Sequence, residues 1–364
     1  MKSFNANKLL LAWETLQHWV DNKEVRAIAA QTGDSGGASE SFYAGTDDAE
    51  GNIPVDHDST FLIASPTKPF IATAIMLLVE EGIIRTSDLV SKYIPEFGVG
   101  AKAEIRIAHL LTHTSGLPDM LPNNIELRKA GATLEEFQDH VNRVELVYAP
   151  GTRVHYQSTG ILTLSTILSL VTSNSTPEFL SKRIFAPLGM TQTWLGCPTE
   201  VLKSDRPPVA SMVESQDGHE TWGWNSDYWR TLGAPWGGLI SSVDDLGQFC
   251  THLLRVLEGG DGIISRSTLR AMTSNQLEGF RKLRSGTSSA IPWGFGWQLN
   301  WPNHPRGFGA ILPAETFGHW GATGTLVWMD PTRGVYGVIL TNEPMGLEDR
   351  RQITFANMVR LAWD

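Results

Sequence analysis

Residues 70–79 read FIATAIMLLV, apolar at nearly every position, with no spacing that leaves a polar face for solvent. A helix that is hydrophobic all round must be buried on all sides. The run is about half the roughly 20 residues that a bilayer span requires, so it belongs inside a protein core. The change to EEGIIRTSD places its end near Gly82. Enclosing such a helix takes several layers, and 364 residues, 41% of them hydrophobic and 19% charged, are enough for one large core or two lobes.

The rest of the chain supplies candidate layers. Leu9, Leu10, Trp13, Leu16, Trp19 and Val20 recur at helical spacing among acidic residues, which predicts an amphipathic first helix. A secretory leader would show an unbroken apolar stretch and a small-residue cleavage site, so a cytoplasmic protein is expected. VRAIAA and SFYAGT read as two short strands joined by the loop QTGDSGGASE. IRIAHLLTHTSG, TLEEFQDHVNRV, STGILTLSTILSLVTS and TPEFLSKRIFAP read as helices. Residues 201–234 form a Trp-rich polar connection of a length that points to a functional loop. TLVWM and VYGVILT are antiparallel strands reversed at DPTRG, and the last segment returns to a helix with Ile353, Ala356, Val359 and Ala362 on one face. The fold class expected is α+β, with residues 1–84 and 235–364 in one α/β lobe and 85–234 in a mainly helical lobe.

The formal charge of -10 disfavours nucleic acid and anionic membrane surfaces as partners. Cys197 and Cys250 lack a partner motif and read as free core thiols. His109 and His113 have the i, i+4 spacing of a helical metal site, but no third ligand follows nearby, so no metal is expected. No P-loop or dinucleotide fingerprint occurs, and no cofactor is implied.

Chemistry points to the mouth of the apolar helix, where Ser65 precedes Lys68 by three residues in SPTK. If Pro66 takes the first helical position, Ser65 is the cap and the two side chains share one face. Pro69 fits this less well and predicts a distorted first turn. A serine hydroxyl needs a base, and lysine serves only when neutral. From a free pKa of about 10.4, that costs roughly 4.6 kcal/mol at pH 7. Apolar surroundings lower the cost by disfavouring the ammonium form.

A serine and lysine at this spacing are a weak pattern alone. Two further segments change its weight: YQS, with Tyr156 ahead of an apolar helix, and HWG, with His319 before a Gly-rich turn. In this order and at these separations, SPTK, YQS and HWG resemble the three active-site motifs of the class C β-lactamase-related serine hydrolases, a group that includes DD-peptidases, D-aminopeptidases and esterases. LLTHTSGLPD, YAPGTRVHYQSTG, PLGMTQT and WGGLISSVDDLGQF extend the resemblance over nearly the whole chain. It implies a β-lactamase/transpeptidase-like fold with the site in the cleft between the lobes. It also implies Ser65 as nucleophile, Lys68 as general base and Tyr156 as a second proton-transfer group. The oxyanion hole would be the backbone N–H groups of Ser65 and Ala322, with Gly321 and Gly324 allowing close approach of backbone to substrate.

Two departures bear on the substrate. The third motif of β-lactamases and transpeptidases usually opens with a lysine that attracts a carboxylate; here His319 stands there, mostly neutral at pH 7. The second motif usually ends in asparagine; here it ends in Ser158. Both turn the expectation from β-lactams towards small or apolar esters, with Trp236 and Trp320 favoured as pocket walls and Trp222, Trp224 and Trp229 as further candidates. The partner expected is a small-molecule ester or amide. The alternatives are a D-amino-acid peptidase or amidase, a weak β-lactamase, and a non-catalytic ligand-binding relative.

Overall fold

The computed structural model describes residues 4–204, 209–213, 220–279, 291–302, 304–305, 307–346 and 350–364. Its strands are β1 (Ala27–Asp34), β2 (Gly37–Gly45), β3 (Phe61–Leu62), β4 (Thr193–Leu195), β5 (Leu239–Ser241), β6 (Gln298–Leu299), β7 (Phe317–Gly321), β8 (Thr325–Asp330) and β9 (Val335–Thr341). Six of them form an antiparallel sheet in the order β2-β1-β9-β8-β7-β6. Strands β8 and β9 are buried at every position, which explains their near-continuous apolar sequence. Their reversal is the DPTRG turn, where Asp330 Oδ1 accepts from the Thr332 N–H at 2.9 Å and Gly334 takes φ +63°.

The first hairpin is longer than the sequence reading allowed. Most of QTGDSGGASE is strand, and only residues 35 and 36 separate β1 from β2. Its polar residues are satisfied in place. Gln31 Nε2 donates to Ser41 Oγ at 2.8 Å, and Tyr336 Oη donates to Gln31 Oε1 at 2.7 Å. Because β2 is an edge strand, Ser39 and Glu40 face solvent.

One face of the sheet is covered by the terminal helices Ala6–Asp21 and Arg351–Leu361. Leu9, Trp13 and Leu16 pack there against Phe355, Ala356 and Val359, with Trp13 stacked on Phe355 at 6.3 Å. Phe355 and Gln352 take buried places on the last helix, while Ile353 is only half-buried. The other face meets the Val243–Glu258 helix and a core continuous with the helices of residues 107–188. Within the 201–234 connection, residues 205–208 and 214–219 lie outside the described residues. The described part contains the Asp227–Leu232 helix, capped by Ser226 Oγ on the Trp229 N–H at 3.1 Å.

A second sheet, β3-β5-β4, ties the two regions together, since β4 from the helical stretch pairs with β5 and β5 with β3. Strand β3 feeds the motif helix, Thr67–Glu80, whose residues from Thr67 to Leu78 are all buried. That helix starts later than the sequence implied. Pro66 occupies the cap position, Ser65 lies before it, and no side chain caps the end. Pro69 is then the third helical residue, among the first four positions whose N–H groups have no intrahelical acceptor. Its missing donor costs nothing there. No helix among the described residues is long and apolar enough to cross a membrane.

Candidate active site

The segment 63–68 is held from several directions. Ala64 adopts a left-handed φ of +55°, and the Thr67 and Lys68 N–H groups donate to the Ala64 and Ser65 carbonyls at 3.0 and 2.9 Å. Thr67 Oγ1 donates to the Ala64 carbonyl at 2.6 Å and accepts from the Leu239 N–H at 3.1 Å, locking the turn to β5. Ser65 remains half-exposed while every neighbour in this segment is buried. A hydroxyl just ahead of a helix, accessible on one side, follows from this turn.

Lys68 is 1% exposed, with Nζ 3.1 Å from Ser65 Oγ and 2.7 Å from the Trp236 carbonyl, to which it donates. Burial pushes its pKa from 10.5 down to about 7, against a smaller opposing pull from Asp119. Near neutrality a large share of Lys68 is therefore the free amine. With one N–H on the Trp236 carbonyl, its lone pair can accept the Ser65 proton. Trp236 was expected as a pocket wall. Its ring is 5% exposed, packs on Phe137 and Trp229 and borders a small crevice beside Ser158, while its carbonyl oxygen holds Lys68.

Tyr156 precedes the Thr159–Thr172 helix, and its ring lies 4.6 Å from Lys68 Nζ. The hydroxyl is buried beside Ser65, close enough for Ser65 to act on its acidity, but makes no hydrogen bond of good geometry. Burial raises its pKa above the usual phenol value, so Tyr156 enters the site as a proton-bearing phenol. What fixes it is the HTSGLPD segment. The His155 N–H donates to the His113 carbonyl at 2.9 Å, the Gln157 N–H to His113 Nδ1 at 3.2 Å, and the Ser158 N–H to the Asp119 carbonyl at 3.0 Å.

His113 had no role in the sequence reading beyond the i, i+4 spacing with His109. The helix there ends at Leu111, so the two histidines do not share a helical face. His113 takes φ +57°, with its ring tilted 4.8 Å from that of Tyr156 and edge-on 4.3 Å from that of Trp293. Trp293 and Asp119 were also missed. A left-handed histidine and a half-buried aspartate carry no periodic signal.

The third motif is stitched onto the strand that leads to Ser65. Thr323 Oγ1 donates to the Leu62 carbonyl and Thr325 Oγ1 to the Ile63 carbonyl, both at 2.7 Å. A Cβ at Gly321 would lie 2.3 Å from the Ile63 carbonyl and 3.0 Å from Pro66 Cδ, so only glycine permits this approach. Ala322 is exposed at the following turn. Among the described residues neither its N–H nor that of Ser65 donates to another backbone group, leaving two donors at the mouth of the site.

His319 is 2% exposed and lies 5.9 Å from Tyr156 between ring centres. Burial, with Lys68 nearby, pushes its pKa from 6.5 to about 3, and its Nδ1–H donates to the Trp320 carbonyl at 2.7 Å. It is a neutral imidazole whose Nε2 is a buried acceptor without a partner. Trp320, next on β7, points to the opposite face of the sheet and packs near Phe308 at 6.0 Å, away from the pocket expected of it. Ser158 is buried beside a small apolar crevice bordered by Met120, Phe137, Thr159 and Trp236. Trp222 and Trp229 lie against the Arg128 guanidinium, at 5.1 and 4.0 Å, as packing partners of a cation.

The Beta-lactamase family model matches residues 17–359. A protein of Salmonella agona, provisionally assigned as a D-alanyl-D-alanine carboxypeptidase, is 28% identical over 310 residues, covering 78% of this chain and 69% of that protein. Among solved structures, a family VIII carboxylesterase superposes with a TM-score of 0.78 at 19% identity, covering 99% of each chain. D-amino acid amidase from Ochrobactrum anthropi SV3, complexed with L-phenylalanine, superposes with a TM-score of 0.73 at 21% identity, covering 98% of each. At these identities the structural likenesses establish the β-lactamase/transpeptidase-like fold. With a family match over nearly its whole length, the chain belongs to the beta-lactamase family and is a serine hydrolase of that family.

Proposed function

We propose that this protein is an esterase acting on small acyl esters through an acyl-enzyme on Ser65. The observation that carries the reading is Lys68, buried, near half-neutral at pH 7, and 3.1 Å from Ser65 Oγ. In acylation, Ser65 Oγ bonds to the ester carbonyl carbon as its proton passes to Lys68 Nζ. The Ser65 and Ala322 N–H groups receive the oxyanion. Collapse breaks the bond to the alcohol oxygen, which takes a proton from Tyr156, and Lys68 returns its proton to Tyr156. In deacylation a water attacks the acyl carbon as its proton passes to the same pair, the bond to Ser65 Oγ breaks, and the pair returns that proton to Oγ. Lys68 takes the Ser65 proton and Tyr156 carries it on to the leaving group, so the two act in sequence.

The preference for esters is supported by His319, whose neutral imidazole supplies no charge for a substrate carboxylate. The alternative of a D-amino-acid amidase or peptidase draws on the likeness to the Ochrobactrum amidase and the Salmonella relative. A panel of p-nitrophenyl esters, a chromogenic cephalosporin and a D-alanyl peptide ranks these readings. Intact mass after a fluorophosphonate probe reports on Ser65 directly. Unchanged ester turnover in Ser65→Ala would overturn the mechanism.

A further inference from the structure

A proton-transfer group works best when nothing else holds its oxygen, because a standing hydrogen bond there competes with each transfer. Among the described residues the Tyr156 hydroxyl makes no hydrogen bond of good geometry, so its aim must come from its backbone and its ring. Both lead to one residue. The His155 N–H donates to the His113 carbonyl at 2.9 Å, and the Gln157 N–H donates to His113 Nδ1 at 3.2 Å, so His113 grips the chain on either side of Tyr156. The Gln157 side chain is held by the same segment, with its Oε1 accepting from Ser115 Oγ at 2.5 Å. The His113 ring, 4.8 Å from that of Tyr156, forms a box with Trp293 and His319, each 5.9 Å from the phenol ring.

The grip needs one form of the imidazole. A nitrogen that accepts carries no hydrogen, so Nδ1 is bare and the proton of the neutral ring sits on Nε2. Burial, with Lys68 and His319 nearby, holds the pKa of His113 well below 6.5, which keeps Nδ1 an acceptor at neutral pH. We propose that His113 is a positioning residue, whose Nδ1 and ring fix Tyr156 where its phenol protonates the departing alcohol. The proposal rests on the acyl-enzyme reading and adds to it the group that aims the proton donor.

The test compares an ethyl and a p-nitrophenyl ester of the same acid by kcat/KM, which reports acylation. Ethoxide leaves only with a proton, whereas p-nitrophenolate leaves without one. His113→Gly accepts the φ of +57° without strain and removes both Nδ1 and the ring, while His113→Asn tolerates the same backbone and restores an acceptor in Oδ1. Expected in His113→Gly is a loss of about 10²-fold on the ethyl ester, the scale of a catalytic group misplaced by roughly 1 Å, and of about threefold or less on the p-nitrophenyl ester. His113→Asn should recover about tenfold of the loss. In a Tyr156→Phe background His113→Gly should cost the ethyl ester almost nothing more, since the group it aims is gone. The proposal is overturned if both esters slow by the same factor in a protein of unchanged circular dichroism, if His113→Asn is no better than His113→Gly, or if the losses add in the double variant. Nitrogen NMR of the wild-type imidazoles needs no turnover: a neutral His113 with its proton on Nε2 supports the grip, and a proton on Nδ1 at neutral pH overturns it. If no ester is turned over and Ser65 is never acylated, the esterase reading fails by itself. The NMR result then decides the grip, as it does if His113→Gly does not fold.

Discussion

Lys68 couples catalysis to stability in a way that can be measured twice. Its folded pKa, about 7, lies below the 10.5 of a free lysine, so between these values the unfolded chain holds a proton that the folded chain has released. Stability therefore rises with pH across that window, and below about 7 the full penalty of burying an ammonium applies. A shift of this size corresponds to a penalty of about 5 kcal/mol, of which roughly 2 kcal/mol is relieved between pH 7 and pH 9. Replacing Lys68 with methionine, similar in length and apolar, removes the titration. Urea unfolding of both proteins at pH 7, 8 and 9 cancels contributions from the other groups, which both chains share. The wild type should gain about 2 kcal/mol more than Lys68→Met from pH 7 to 9. In the wild type, kcat/KM for a neutral ester should rise about tenfold per unit below pH 7 and level off above it, because only the free amine accepts the Ser65 proton. Parallel stability curves, or a kinetic midpoint above pH 9, would refute the reasoning.

Tyr156→Phe should lower kcat by about 10²- to 10⁴-fold, the usual scale for a lost proton-transfer group. Its stability should be unchanged or slightly increased, since the deleted hydroxyl is buried without a hydrogen-bond partner; thermal melts and ester kinetics on one preparation check both. Gly321→Ala places a methyl 2.3 Å from the Ile63 carbonyl, so β7 must move away from the Ser65 turn. The expected result is a Tm lowered by several degrees and slower acylation by a fluorophosphonate; equal labelling rates would show that β7 does not set the oxyanion site.

How much could be read in advance depended on whether the controlling interaction was local. The all-apolar helix, the DPTRG reversal and the terminal helices were legible because side-chain spacing alone decides which faces must be buried. The first hairpin was shortened because Gln31 and Thr32 are polar, and only the partners Ser41 and Tyr336, distant in sequence or across the sheet, make them tolerable in a strand. Pro69 was puzzling only while the helix was taken to begin near Ser65. One residue of difference, set by Ala64 at φ +55°, moves it to a position where no donor is needed.

The sequence by itself determined the order of SPTK, YQS and HWG, the apolar setting of Lys68 and the substitution of His319 for a lysine. These are properties of residue type and spacing. Tertiary structure decided the rest: that the Trp236 carbonyl, not its ring, meets Lys68, that Trp320 faces away, and that His113 and Asp119 frame Tyr156. Every residue has a carbonyl, and a single neighbour on a short strand reverses the direction of a side chain. Only packing between segments far apart in sequence selects which of these atoms reaches the site.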